Sequence, residues 1–491
     1  MKRTVALLAI VSVLALGLVP ALAAQEPLID SVCLITDVGK VNDGTFNQFA
    51  FEGMQKAVEE FGLESTYIET LAQTDYNTNI QTCIDREFDA IISVGFLLGD
   101  ATRAAAEANP NVYFIGIDQD HAGGPANLVG VLFREDQPGF LVGAMAALMT
   151  KTGKIAGVYG IDVPAVKKFR NGFEQGARFI NPDIDVAGVY IDSFVDSARG
   201  AETADQFITE TPPRDVIFGA GGQTGSGAIK RAAEEGVFVI GVDQDEYFST
   251  FGGGTTPGAE FLITSAIKRV DQGVYLSLKA LVEGDLEEFG GGGNRVLSAA
   301  NDGIGFAPSH DADVPEEVTA KVQEIFEALK AGTLVTGVDP IGGGLLPTLG
   351  DLIAQNPDID GDGEGDFDTL GAAIGAAGVT LEPFGAYTIF APTDAAFEAL
   401  PAGALDGLLA DPQGALTNVL LYHVAAGAVL AETVVTLDGA EVPTLAEQLV
   451  SVSIVDGGVV LNDSVNVVVT DILFRNGVIH VIDGVLLPPG M

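Results

Sequence analysis

The residues best placed to do chemistry fall in a few short stretches. Asp37, Asn42 and Asp43 follow the apolar run Val32–Ile35 in SVCLITDVGKVNDGTFNQFAFEGM (31–54), and helical spacing of Phe46, Phe49, Phe51 and Met54 begins just after them. A buried strand, a Gly-containing polar loop and a helix put polar groups at the carboxyl end of a parallel sheet, where α/β folds bind ligands. Asp118 and Asp243 occupy matching places, each after a strand-like run, in GIDQD (116–120) and GVDQD (241–245). An Asp at such a point commonly caps a helix or is solvated. DIDGDGEGDFDT (358–369) sets Asp358, Asp360 and Asp362 at alternate positions with Gly363 at the turn, as in a calcium loop. Its twelfth residue is Thr369 and not the bidentate Glu of an EF-hand, so a solvated acidic insertion is favoured over a calcium site. His121 and His310 stand alone in loops, and no nucleophile–base constellation accompanies them, which speaks against an enzyme.

The elements that must position these groups alternate. From Val32 to about Lys330, strand-like runs (65–69, 90–94, 112–117, 155–159, 186–191, 216–219, 237–242) alternate with helical stretches, the pattern of parallel α/β domains. Two similar α/β halves are predicted, the first ending near Gln119 and the second beginning near Gly139. A strand at 261–264 and a helix from Ala266 to Glu283 are expected to return to the first half, which would place Lys268 on that helix. Residues 336–344, within the Gly-rich run 332–344 that contains Pro340, read as a linker. Beyond it, Ala- and Leu-rich helices give way to β-rich runs at 450–455, 459–461, 465–470 and 478–482. A smaller α+β domain over 345–491 is the expectation.

Composition sets the class. The 491 residues exceed what one core usually accommodates, and 47% hydrophobic content with 62 glycines allows large cores. A formal net charge of −44 argues against binding nucleic acid or anionic lipid through charge. Lys2 and Arg3 before an apolar run to Val19, then Pro20 and small residues, read as a secretory signal over 1–24. The mature protein is then exported, with no Cys at the cleavage point to carry a lipid. Cys33 falls on the first strand and Cys83 on the helix before the third. Strand order 2-1-3 would bring them together, and export permits a disulfide. Two separately buried thiols fit equally well.

Five stretches, TDVGKVNDGTFNQ (36–48), GKIAGVYGIDVPAVKKFRNGFEQGA (153–177), AGGQTG (220–225), IGVDQD (240–245) and TSAIKRVDQGVY (264–275), resemble in order the basic membrane protein family, which includes bacterial purine-nucleoside receptors. The resemblance covers about 30–335. It implies a type I periplasmic binding fold, with two Rossmann-like lobes closing on a nucleoside-like ligand for delivery to an ABC transporter permease. It implies Phe46 and Phe194 as base-stacking rings and Asp37, Asn47, Asp118 and Asp243 as polar ligand groups. Gly221 and Gly222 would let the backbone approach the ligand, and Lys268 would donate to ribose or to a cleft carboxylate. Phe46 stands between Thr45 and Asn47, an unusual setting for a core ring. Stacking on a base is worth about 1–3 kcal/mol in nucleic-acid sites, and carboxylates accept from both ribose hydroxyls.

AYTIFAPTDAAF (386–397), the Tyr422-His423 pair and NGVIHVIDGVLLP (476–488) are similar to a fasciclin-like domain. That resemblance implies association with a cell-surface polymer or protein, with Tyr422-His423 mainly structural or interactive. The combined expectation is an exported, periplasmic or cell-surface solute-binding protein without a cofactor, calcium at 358–369 aside. The competing expectation is an adhesion or sensor protein that binds a metabolite without transport.

Overall fold

The computed structural model describes residues 27–359, 361 and 363–490, so the signal expected at 1–24 lies outside the described residues. Two lobes are built on one plan. β1 (Ser31–Val38), β2 (Glu64–Thr70), β3 (Ala90–Val94), β4 (Tyr113–Ile117) and β5 (Leu128–Phe133) form one parallel sheet. β6 (Lys154–Tyr159), β7 (Asp185–Tyr190), β8 (Val216–Ala220), β9 (Phe238–Asp243) and β10 (Leu262–Lys268) form another. β11 (Asn294–Leu297) then joins the first sheet beside β5, and β12 (Ile304–Phe306) joins the second beside β10. The orders are β11-β5-β4-β3-β1-β2 and β12-β10-β9-β8-β6-β7, the same doubly wound order twice. β3, β5 and β8 are buried along their whole length, because helices cover both faces of each sheet.

The chain passes between the lobes three times. Arg134 and Glu135 lead from β5 to helix Asp136–Met149, which packs on helix Pro164–Ile180 of the second lobe. Arg269 leads from β10 to helix Val270–Val282, which packs on helix Phe46–Phe61 of the first. Residues 298–303 link β11 to β12. Two expectations change here. Lys268 ends strand β10 and does not lie on a helix, because Ile267 pairs with Asp243 on one side and Gly305 on the other. Ladder partners on both sides outweigh the helical propensity of Ala266, Ile267 and Lys268. The strand stays in the second lobe, and only the helix after it returns to the first. β5 was not among the expected strands, and it carries the first sheet past Gln119 to Phe133.

Cys33, inside β1, is disulfide-bonded to Cys83 on helix Tyr76–Asp85, with Cα atoms 6.0 Å apart. β1 lies between β2 and β3, so the right-handed β2-to-β3 connection carries that helix across it.

The C-terminal region is a seven-stranded sheet flanked by short helices. β13 (Tyr387–Pro392), β14 (Val424–Ala426), β15 (Glu441–Pro443), β16 (Leu449–Val455), β17 (Gly458–Leu461), β18 (Val465–Phe474) and β19 (Gly477–Ile482) adopt the order β14-β13-β19-β18-β17-β16-β15. Its core gathers Ile389, Phe397, Leu416, Val419, Phe474, Ile479 and Val481. His423 and His480 are buried, and both have backbone partners: His423 Nδ1 with Val419 O and His480 Nε2 with Val429 O.

The segment expected to be a linker is tied down. Val335 N–H donates to Phe384 O, Thr336 Oγ1 donates to Asp136 Oδ2 at 2.5 Å, and Asn171 Nδ2 donates to Gly343 O at 2.6 Å. The Phe384 ring meets Phe140 and Phe179 at 5.6 and 5.5 Å between centroids. A strap that loses water must find partners for its polar groups, and this one finds them on the second lobe, on the C-terminal domain and within itself. Among the described residues no helix is long and apolar enough to cross a membrane.

Candidate functional site

One cleft between the two lobes collects all nine residues expected to face a ligand: Asp37, Phe46, Asn47, Asp118, Phe194, Gly221, Gly222, Asp243 and Lys268. Its empty space is about 720 Å³, the mouth included. The β1 loop is built by side chains clasping backbone. Asp43 accepts N–H bonds from Thr45, Asn47 and Gln48, which fixes the start of helix Phe46–Phe61. Asn47 Oδ1 accepts from the Asp37 N–H at 3.0 Å while its Nδ2 donates to Asp43 Oδ2 at 3.0 Å. Asn47 therefore positions the loop as well as lining the cleft. Asp37 accepts from Val38 N–H and from the Tyr76 hydroxyl, yet burial still holds its pKa above the ordinary carboxylate value.

Asp118 directly follows β4 and Asp243 ends β9, and both have left-handed backbones, with φ of +60° and +66°. Non-glycine residues rarely hold that conformation unless their surroundings impose it. Burial pushes the Asp118 carboxyl up to about 6, with Lys268 opposing the shift, and pushes Asp243 up to about 7. Lys268 Nζ reaches Asp118 Oδ2 at 2.6 Å and Glu135 Oε1 at 2.8 Å. Burial works against the Lys268 charge, but Asp118, Glu135 and Asp243 together hold its pKa above the ordinary lysine value. Lys168 Nζ takes the other Glu135 oxygen at 2.6 Å. Glu135 is thus paired twice, Lys268 is held at the mouth of a crossing segment, and Asp118 Oδ1 is left buried without a protein partner.

The rings come from opposite lobes. Phe46, at the first turn of its helix, packs in part on the first lobe's core and lies 4.8 Å from Lys268 Nζ. Phe194, between β7 and helix Ser197–Ile208, packs in part on the second lobe's core. Glycine is required beneath it: a Cβ on Gly221 would stand 2.2 Å from Gly160 N, and one on Gly222 2.8 Å from Phe194 O. Val163, Val166 and Phe169 complete an apolar wall.

Sequence reasoning missed Glu135, Lys168, Tyr76 and the wall of helix Pro164–Ile180. One signal could have found Glu135: Arg134-Glu135-Asp136-Gln137 and Arg269-Val270-Asp271-Gln272 occupy equivalent crossings, a repeat visible in the chain. Of the acidic 358–369 stretch, Asp358 accepts from Gly361 and Gly363 N–H at 2.6 and 2.9 Å, closing its own turn. Asp360 and Asp362 lie outside the described residues.

Comparison with known proteins places this geometry. Residues 31–331 match the family described as ABC transporter substrate-binding protein PnrA-like, and residues 365–488 match the fasciclin domain. A CD4+ T-cell-stimulating antigen of Listeria monocytogenes is 30% identical over 320 residues, 62% of this chain and 87% of that protein. Basic membrane protein A of Borreliella burgdorferi is 37% identical over 224 residues, 45% of this chain and 65% of its own length. The ABC transporter nucleoside-binding protein BmpA of Lactococcus lactis is 32% identical over 253 residues, 48% of this chain and 70% of that one. A solved ABC transporter solute-binding protein from Aeropyrum pernix superposes with a TM-score of 0.53 at 25% identity, covering 63% of this chain and 94% of its own. A transcriptional activator of the comK gene from Bacillus halodurans, at 19% identity and TM-score 0.50 over 61% of this chain and 96% of its own, shares the fold. Proteins of the matched family are solute-binding components of ABC transporters, not enzymes, and act outside the cytoplasm at the membrane. The chain belongs to the PnrA-like family of ABC transporter substrate-binding proteins and carries a C-terminal fasciclin domain.

Proposed function

We propose that the cleft captures a purine nucleoside and that the closed complex delivers it to an ABC permease. The observation that carries this reading is the pairing, in one cleft, of two rings from opposite lobes with two strained, buried aspartates that have acceptor capacity to offer. A flat base fits between Phe46 and Phe194, and a vicinal diol supplies the donors that Asp118 Oδ1 and Asp243 call for. Ligand meets Asp37, Phe46 and Asn47 on the first lobe, and closure adds Phe194 and Asp243 while Lys268 stays fixed near the crossing. Closure is favoured by the ligand's extra contacts in the closed state. The name of the Lactococcus lactis relative, a nucleoside-binding protein, supports the ligand class.

The test is a calorimetric titration with inosine, guanosine and adenosine, beside hypoxanthine and ribose alone. Nucleosides should bind much more tightly than either fragment, because base and sugar contacts act together. Equal binding of free ribose would transfer the site to sugars. For the fasciclin domain we propose attachment to a cell-surface polymer or protein, checked by co-sedimentation of the full chain with isolated cell envelopes.

A further inference from the structure

The C-terminal domain holds a second cavity, apart from the cleft, with about 1070 Å³ of empty space, its mouth included. Ile353 of helix Leu349–Gln355, Leu370 and Ile374 of helix Asp368–Ala377, Val379, Leu381 and Leu420 line it. The lining residues Gly350 and Thr380 are exposed, and the cavity therefore reaches the surface.

The His423 ring and the Asn476 amide NH2 at its wall are already occupied. His423 Nδ1–H donates to Val419 O at 2.8 Å, and His423 Nε2 accepts from Leu486 N–H at 3.0 Å, so the ring is neutral and has no free nitrogen. Burial holds its pKa down at about 4, which keeps it neutral at physiological pH. Asn476 Nδ2 donates to Glu382 O. An ordered water needs two to four polar partners, and such a wall has few to spare. Charge narrows the occupant further. Arg475 is the only Lys or Arg after Lys330, and its Nε donates to Leu346 O. Among the described residues no Lys or Arg lines the cavity to receive a phosphate or carboxylate head.

We propose that this cavity is a binding site for a neutral apolar molecule, the hydrocarbon chain of an uncharged amphiphile. The inference is independent of what the interlobe cleft binds.

The test uses the full chain and the neutral fluorescent probe N-phenylnaphthylamine. Fluorescence should rise on addition of protein, and dodecanol should displace the probe more effectively than dodecanoate. I374W and V379W fill the cavity and should weaken probe binding about tenfold or more while keeping the wild-type circular dichroism spectrum. Hydrogen exchange on the unaltered protein gives a readout that needs no variant: dodecanol should slow exchange in residues 349–355 and 368–377. An absent fluorescence rise, equal probe binding by folded I374W and V379W, or protection confined to the two lobes would each overturn the proposal. Stronger displacement by dodecanoate would overturn the neutral class.

Discussion

At the residue scale the site turns on Asp118 and Asp243, whose left-handed backbones no composition or periodicity rule reveals. Their positions were legible, because GIDQD and GVDQD repeat after equivalent strands. Their raised pKa values were not, since these arise from burial by distant segments. Asp243 titrates near 7 when folded and near 3.8 as a free side chain, so the folded state holds its proton more tightly. Its stabilising effect is therefore greatest below pH 3.8 and falls away as pH rises to 7, above which the buried charge is a full cost. D243N should raise the melting temperature of the empty protein, more at pH 8 than at pH 5, while nucleoside affinity falls at least about a hundredfold. In the wild type, affinity should fall as pH drops below 7, because a bound diol needs the ionised carboxylate. Equal affinity at pH 5.5 and pH 8 would remove Asp243 from the ligand. F46A should weaken binding by about 5- to 150-fold, the equivalent of 1–3 kcal/mol, with the melting temperature little changed. If it unfolds the lobes and leaves affinity per folded molecule intact, Phe46 is a core residue after all.

At the element scale, the two βα halves were readable from their apolar runs, whereas the crossings were not. A crossing has no periodicity of its own. Its mark is the bidentate pair Arg134–Asp136 and its counterpart Arg269–Asp271, each spanning one residue. The backbones beside them are held at the two ends of the third crossing, through Arg134 N–H to Leu297 O at the end of β11 and Arg269 N–H to Gly303 O. Strand β10 was read too short because its end is fixed by neighbours on both sides, information that lies outside the segment. The Cys33–Cys83 bond spans 50 residues, so C33S/C83S should lower stability by about 2–4 kcal/mol, read as a denaturant midpoint. Nucleoside affinity should hold, because neither residue lines the cleft. T336V removes the hydroxyl that donates to buried Asp136 and should cost about 1–2 kcal/mol. Brief proteolysis should then cut within 332–345 faster than in the wild type.

At the scale of the whole molecule, the chain holds a duplicated clamp and a third domain fastened to one half of it. The Gly-rich composition of 332–344 concealed that fastening, since the same glycines suit a loose tether or a strap pressed against a surface. Gly343 shows the second use: a Cβ there would meet Pro164 O at 2.6 Å and Lys167 Cβ at 2.7 Å. The partners of the strap and of Phe384 described above, Asp136, Phe140, Asn171 and Phe179, belong to the second lobe. The C-terminal domain and that lobe therefore travel as one piece, with the mechanical consequence of a lever arm. A small rotation at the crossings becomes a larger displacement at the tip of the fasciclin domain. Fluorophores on that tip and on the first lobe would register closure with more signal than a pair across the cleft mouth. Were the fasciclin domain held to an envelope, the first lobe would be the half free to swing.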